Sequence, residues 1–176
     1  MNGYAERMTT LILTVAGADR PGLVSAVADV VAAHGGNWEN SQLAELAGTF
    51  AGVIEISVAD DRVDALRTDL DALDGMLSIT VHTGADTSAS DSDQRISISV
   101  LGNDRPGIVR EISGVLSTHA LSIENMTTQT RDAAMAGGRL FESSVTATLP
   151  SSADLDALRG DIERLTHDLQ VDITTL

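Results

Sequence analysis

Cysteine is absent from the 176 residues, which excludes disulfides and thiolate chemistry and leaves only carboxylate or imidazole groups for any metal. Aromatic residues are nearly absent too, at 2%, so the interior must be built from Val, Leu, Ile and Ala. A hydrophobic content of 43% is ample for that, and the chain reads as globular rather than disordered. Basic residues are scarce: 11 Lys and Arg stand against 26 Asp and Glu, giving a net charge of -15 and a pI near 4.3. Phosphate binding requires clustered cations, so direct nucleic-acid contact is not expected. No apolar run reaches the roughly 18 residues of a membrane span, and no basic segment followed by an apolar one opens the chain. Neither membrane insertion nor export is indicated, and the cytoplasm is the default compartment.

What the sequence does contain is a repeat. Shifted by 85 residues, positions 12–40 align with 97–125, and 11 of these 29 positions are identical. The identities cluster in "GADRPGLV" at 17–24 and "GNDRPGIV" at 102–109, and continue with His34 and His119, then Glu39-Asn40 and Glu124-Asn125. Further on the offset grows: Phe50 matches Phe141, and Leu66, Leu70 and Leu73 match Leu158, Ile162 and Leu165. The second copy therefore carries extra residues near "RDAAMAGG". Between the copies, "TGADTSASDSDQ" at 83–94 is small, polar and acidic, as an exposed linker should be. The expected division is a first domain over 1–84, a linker over 85–94 and a second domain over 95–176.

The hydrophobic period changes in the same order in each copy. "TLILTV" and "RISISV" alternate as half-buried strands. Leu23, Val27, Val30, Val31 and His34, like Ile108, Ile112, Val115, Leu116 and His119, follow at helical spacing. Two strands are predicted at about 37–46 and 49–58, and at 122–131 and 139–149. A second helix through Val63, Leu66, Leu70 and Leu73, or Leu155, Leu158, Ile162 and Leu165, precedes a last strand. The order βαββαβ, twice, predicts an α+β protein of two ferredoxin-like domains: antiparallel sheets with helices on one face. Domains of about 80 residues bury a limited share of their surface, so pairing with the sister copy or another chain should stabilise them, with edge strands one route.

The Asp-Arg-Pro-Gly turn sits where the first strand hands over to the first helix. Pro21 and Pro106 suit a first helical position. Gly22 and Gly107 allow close approach to the backbone. Free N–H groups at a helix start favour a carboxylate, Asp19 and Asp104 can accept from an ammonium, and Arg20 and Arg105 can grip an acid with two hydrogen bonds. An amino-acid zwitterion needs both kinds of partner. The same residues also suit a plain surface pair and helix cap, and the duplication alone does not decide between the two.

Other candidates point to structure. His34 and His119 fall at the first helix's end, where packing or contact with the last carbonyls is expected. Gly35, Gly36 and Asn37 suit a glycine cap, whereas the second copy has Ala120, Leu121 and Ser122. Trp38, opposite Ile123, suits core or interface, and the acidic run with Asp69, Asp71 and Asp74 reads as a solvated helix face. No Ser-His-Asp order, Walker A loop or HExxH motif appears, so neither catalytic residues nor a cofactor is expected.

The doubled βαββαβ pattern with these turns, each followed by a helix ending in His and then "NWENSQLAELAGTFAGVIEI" or "SIENMTTQT", resembles tandem ACT domains, and among them the glycine cleavage system transcriptional repressor group. The resemblance runs from about residue 8 to 176 outside the linker; the turn also marks ACT domains attached to formyltetrahydrofolate deformylases and some phosphoserine phosphatases. It implies a non-enzymatic regulatory module, a homo-oligomer such as a homodimer, that binds a small amino acid, glycine or serine-like, at an interface between domains. By position it implies ligand contacts from Asp19, Arg20, Gly22, Leu23 and Asn37, and from Asp104, Arg105, Gly107, Ile108 and Ser122, with Ser122 departing from asparagine. In that group regulation runs through a protein partner, a transcriptional activator, rather than through DNA. The competing expectations are an interaction module without a ligand, and a small enzyme, which would need a cleft with a perturbed acid or base.

Overall fold

The computed structural model describes residues 7–84, 93–133, 137–165 and 169–176. The chain separates into two compact units, residues 1–87 and 88–176. Apart from Asp93 and Gln94, the linker expected over 85–94 lies outside the described residues, and Gln94 already belongs to a strand.

The first unit runs β1 (Met8–Ala18), α1 (Leu23–Ala33), β2 (Asn37–Leu46), β3 (Thr49–Ala59), α2 (Val63–Asp71) and β4 (Ser78–Thr83). The second repeats this order as β5 (Gln94–Asn103), α3 (Ile108–Thr118), β6 (Ser122–Asp132), β7 (Arg139–Leu149), α4 (Leu155–Leu165) and β8 (Leu169–Thr175). Each unit forms an antiparallel four-stranded sheet, ordered β2-β3-β1-β4 and β6-β7-β5-β8. These are two ferredoxin-like domains.

Alternation in the strands puts Leu11, Leu13, Val15, Ile54, Ile56 and Val58 on one face, where α1 delivers Leu23, Val27 and Val31 and α2 delivers Leu66 and Leu70. In the second unit Ile96, Ile98, Val100, Val145 and Ala147 meet Ile108, Ile112, Leu116, Leu158 and Ile162. Trp38 packs, partly buried, against the first core, and Ile123 is 40% exposed. Among the described residues the helices of each domain pack on one face of its sheet.

One end of each sheet holds the helix stop. Gly35 N–H donates to Ala32 O and Gly36 N–H to Val31 O, the paired bonds of a Schellman motif, with Gly35 at φ 66°. The second unit forms the same pair, Ala120 N–H to Ser117 O and Leu121 N–H to Leu116 O, although alanine must then sit at φ 56°. The cap thus survives the loss of both glycines.

Candidate functional site

The β1-α1 and β5-α3 junctions are built alike. Contrary to expectation, Pro21 and Pro106 are not the first helical residues, because α1 begins at Leu23 and α3 at Ile108. Gly22 at φ 94°, ψ -1° and Gly107 at φ 94°, ψ -4° have the third-residue geometry of a type II turn, which places each proline at the turn's second position. Glycine is required here by the backbone: a Cβ on Gly22 would meet nothing nearer than Ser25 Oγ at 3.9 Å. The same lack of crowding leaves the turn open to approach. Neither helix start has a side-chain cap, so the N–H groups ahead of the first helical bonds, Ala26 to Gly22 O and Glu111 to Gly107 O, point outward.

The surroundings of the two turns differ. In the first, Asp19 N–H donates to Gly48 O at the β2-β3 hairpin, and Arg20 Nη2 donates to Gly75 O beyond α2 at 3.2 Å. In the second, Asp104 N–H donates to Arg139 O, and Arg105 is held by Glu111: Nη1 to Oε1 at 2.9 Å and Nη2 to Oε2 at 2.6 Å. The Asp104 Oδ2 stands 4.0 Å from Arg139 Nε. Arg105 holds the Glu111 carboxyl below the usual glutamate range.

Three expectations need correction. Leu23 and Ile108 are core residues, 3% and 2% exposed, so only their backbone can meet a ligand. Asn37 pairs with Ser57, and Ser57 with Thr10, whereas Asp19 follows the other end of β1. The eight steps from Thr10 to Ala18 span about 26 Å at roughly 3.3 Å per residue, and Ser122 stands equally far from Asp104. One repeat therefore does not bring Asn37 or Ser122 to its own turn. The packing expected of His34 and His119 is present, with side chains 11% and 13% exposed, but their Nε2 atoms bind Asp69 and Asp161 rather than terminal carbonyls, so Asp69 is a helix-to-helix contact as well as a solvated acid.

Sequence reasoning passed over Glu111, Arg139 and Gly75. The alignment did hold a signal for the first two: Ala26 stands opposite Glu111, and Gly48 opposite Arg139.

Profiles of the ACT domain family match residues 9–84 and 96–163. The chain belongs to the ACT domain family. Among curated relatives, this tandem ACT protein is 25% identical over 161 residues to the glycine cleavage system transcriptional repressor of Escherichia coli, covering 90% of this chain and 85% of that one. A protein of Methanopyrus kandleri is 38% identical over 76 residues, 42% of this chain and 84% of its own. Among solved structures, a protein of unknown function from Galdieria sulphuraria superposes with a TM-score of 0.88 at 22% identity, covering 97% and 99% of the two chains. A structure provisionally described as a glycine cleavage system transcriptional repressor gives 0.70 at 19%, covering 96% and 98%. At such identities the structures establish the shared fold alone. The ACT domains and the repressor-like relative support a regulatory role.

Proposed function

We propose that this tandem ACT protein is a non-enzymatic sensor in which a small amino acid, glycine or serine-like, binds at the Asp-Arg-Pro-Gly turns. Binding shifts the population of a form that meets a protein partner such as a transcriptional activator. The observation that carries this reading is the turn itself: an uncapped helix start beside an exposed Asp19 and Arg20 offers donors to a carboxylate and an acceptor to an ammonium. The likeness to the Escherichia coli repressor over most of both chains supports the regulatory half. With Asn37 at the far end of its own sheet, a second copy of the chain is the natural source of that contact, in keeping with a homo-oligomer. The acidic charge favours signalling through protein contact over nucleic acid.

Isothermal titration of the folded chain with glycine, serine and the remaining amino acids tests this directly. Saturable heat with a small amino acid is expected; no heat with any of them removes the ligand from the reading. Replacing Asp19 and Arg20 by Ala is expected to abolish the ligand response.

A further inference from the structure

We propose that the second turn is closed by an internal ligand, Glu111 with Arg139, which leaves the first turn as the open effector site. The inference rests on the reading of these turns as amino-acid sites and concerns which of them is available.

An amino acid would present a carboxylate to the arginine and an ammonium to the aspartate. In the second unit the arginine's place is taken from within, and the aspartate faces a cation of the same domain without a hydrogen bond to it. The Glu111 carboxylate gives one oxygen to each terminal nitrogen of Arg105, which uses the two-pronged geometry an effector carboxylate would need. It also lies over the turn: Glu111 Oε1 is 3.7 Å from where a Cβ on Gly107 would stand. Across from it, the Arg139 guanidinium, which donates from Nη2 to Thr130 Oγ1, stands near the Asp104 carboxylate, with Nε 4.0 Å from Oδ2. Glu111 and Arg139 together present the two charges of a zwitterion.

The first unit has neither. Ala26 occupies the place of Glu111 and Gly48 that of Arg139, so no side chain of either sign reaches the turn from these positions. Arg20 spends one bond on a backbone carbonyl at 3.2 Å, and a neutral acceptor is more readily exchanged for a carboxylate than Glu111 is. A tethered carboxylate also competes at an effective concentration on the order of millimolar or more, which a free amino acid must exceed to displace it.

Isothermal titration of the full chain with glycine and with serine, across three variants, tests the asymmetry. The unsubstituted chain should bind one equivalent per chain. Arg20→Ala should weaken that binding about tenfold or more, as loss of a hydrogen bond to a charged group does. Ala26→Glu should weaken it likewise by closing the first turn, and Glu111→Ala should add a second equivalent. Two equivalents in the unsubstituted chain, or full binding retained in Arg20→Ala, overturns the inference while leaving the sensor reading standing. No heat in either the unsubstituted chain or Glu111→Ala overturns the sensor reading and this inference with it. A readout independent of ligand is arginine modification by phenylglyoxal followed by peptide mapping. Arg105 should react more slowly than Arg20 and gain reactivity in Glu111→Ala; equal rates in the unsubstituted chain overturn the closure.

Discussion

The Nε2 of His34 lies 2.8 Å from Oδ2 of Asp69, and the Nε2 of His119 lies 2.7 Å from Oδ2 of Asp161. Each domain thus ties the end of its first helix to its second helix by the same pair. The surroundings differ: the Asp69 side chain is 60% exposed and that of Asp161 is 29% exposed. Solvent screening should therefore weaken the first pair more. Double-mutant cycles with Ala at both positions, followed by denaturant unfolding, should give a coupling of about 0.2 to 1 kcal/mol for His34-Asp69 and a larger one for His119-Asp161. Equal coupling in the two domains would contradict the screening argument.

Alanine at Gly22 or Gly107 should destabilise its domain by roughly 1 to 2 kcal/mol, the cost of an L-residue in left-handed backbone. Around Gly22 there is space for a methyl group, so this cost comes from the backbone alone. Thermal unfolding of the two variants should show similar losses, since the φ values are the same.

The opposite change is expected at the helix stop. Ala120 holds a left-handed position that Gly35 fills in the first domain. Ala120→Gly relieves that strain but increases the freedom of the unfolded chain, for a net gain of about 0.5 to 1 kcal/mol. Gly35→Ala should lose a comparable amount. Calorimetry of the two variants, with melting temperatures moving in opposite directions, checks both.

Acid should weaken the second domain more than the first. Glu111, Glu124 and Glu142 there are held below the usual glutamate range by hydrogen bonds, first from Arg105, from Thr148 and from Arg131 respectively. In the first domain Glu39 is lowered in this way, chiefly by Ser57. A carboxyl lowered in the folded state contributes stability that is fully present above its unfolded value of about 4.3 and is lost as pH falls through the folded value. Amide hydrogen exchange on the full chain below about pH 4.3 should show protection falling sooner in residues 93–133 and 137–165 than in 7–84. Glu124→Gln should narrow the gap by removing one such group, and an unchanged gap in that variant would contradict this account.

The order of elements was legible in the sequence because buried and exposed positions alternate at two distinct periods. Ile96, Ile98 and Val100 on a strand, and Ile108, Ile112 and Leu116 on a helix, needed no partner to be assigned. The repeat also located the two turns and the positions of the histidines. What each of those residues touches was a different matter, since contacts between residues far apart in sequence leave no period. His34 finds Asp69 35 residues away, and Asn37 is carried to the far end of the sheet by the direction of α1 and β2. The proline position followed from a left-handed glycine that sequence alone does not reveal.

The sequence by itself determined two βαββαβ domains, their apolar faces and a matched pair of Asp-Arg-Pro-Gly turns, because local periodicity and turn chemistry act over a few residues. Only the tertiary structure decided that the turns are unequal. Arg105, ahead of α3, meets Glu111 in the first turns of that helix, and Asp104 has Arg139 near it from a neighbouring strand, while Ala26 and Gly48 leave the first turn without either side chain. Folding brings charges within reach of one another, and that proximity is what makes two copies of one motif chemically distinct.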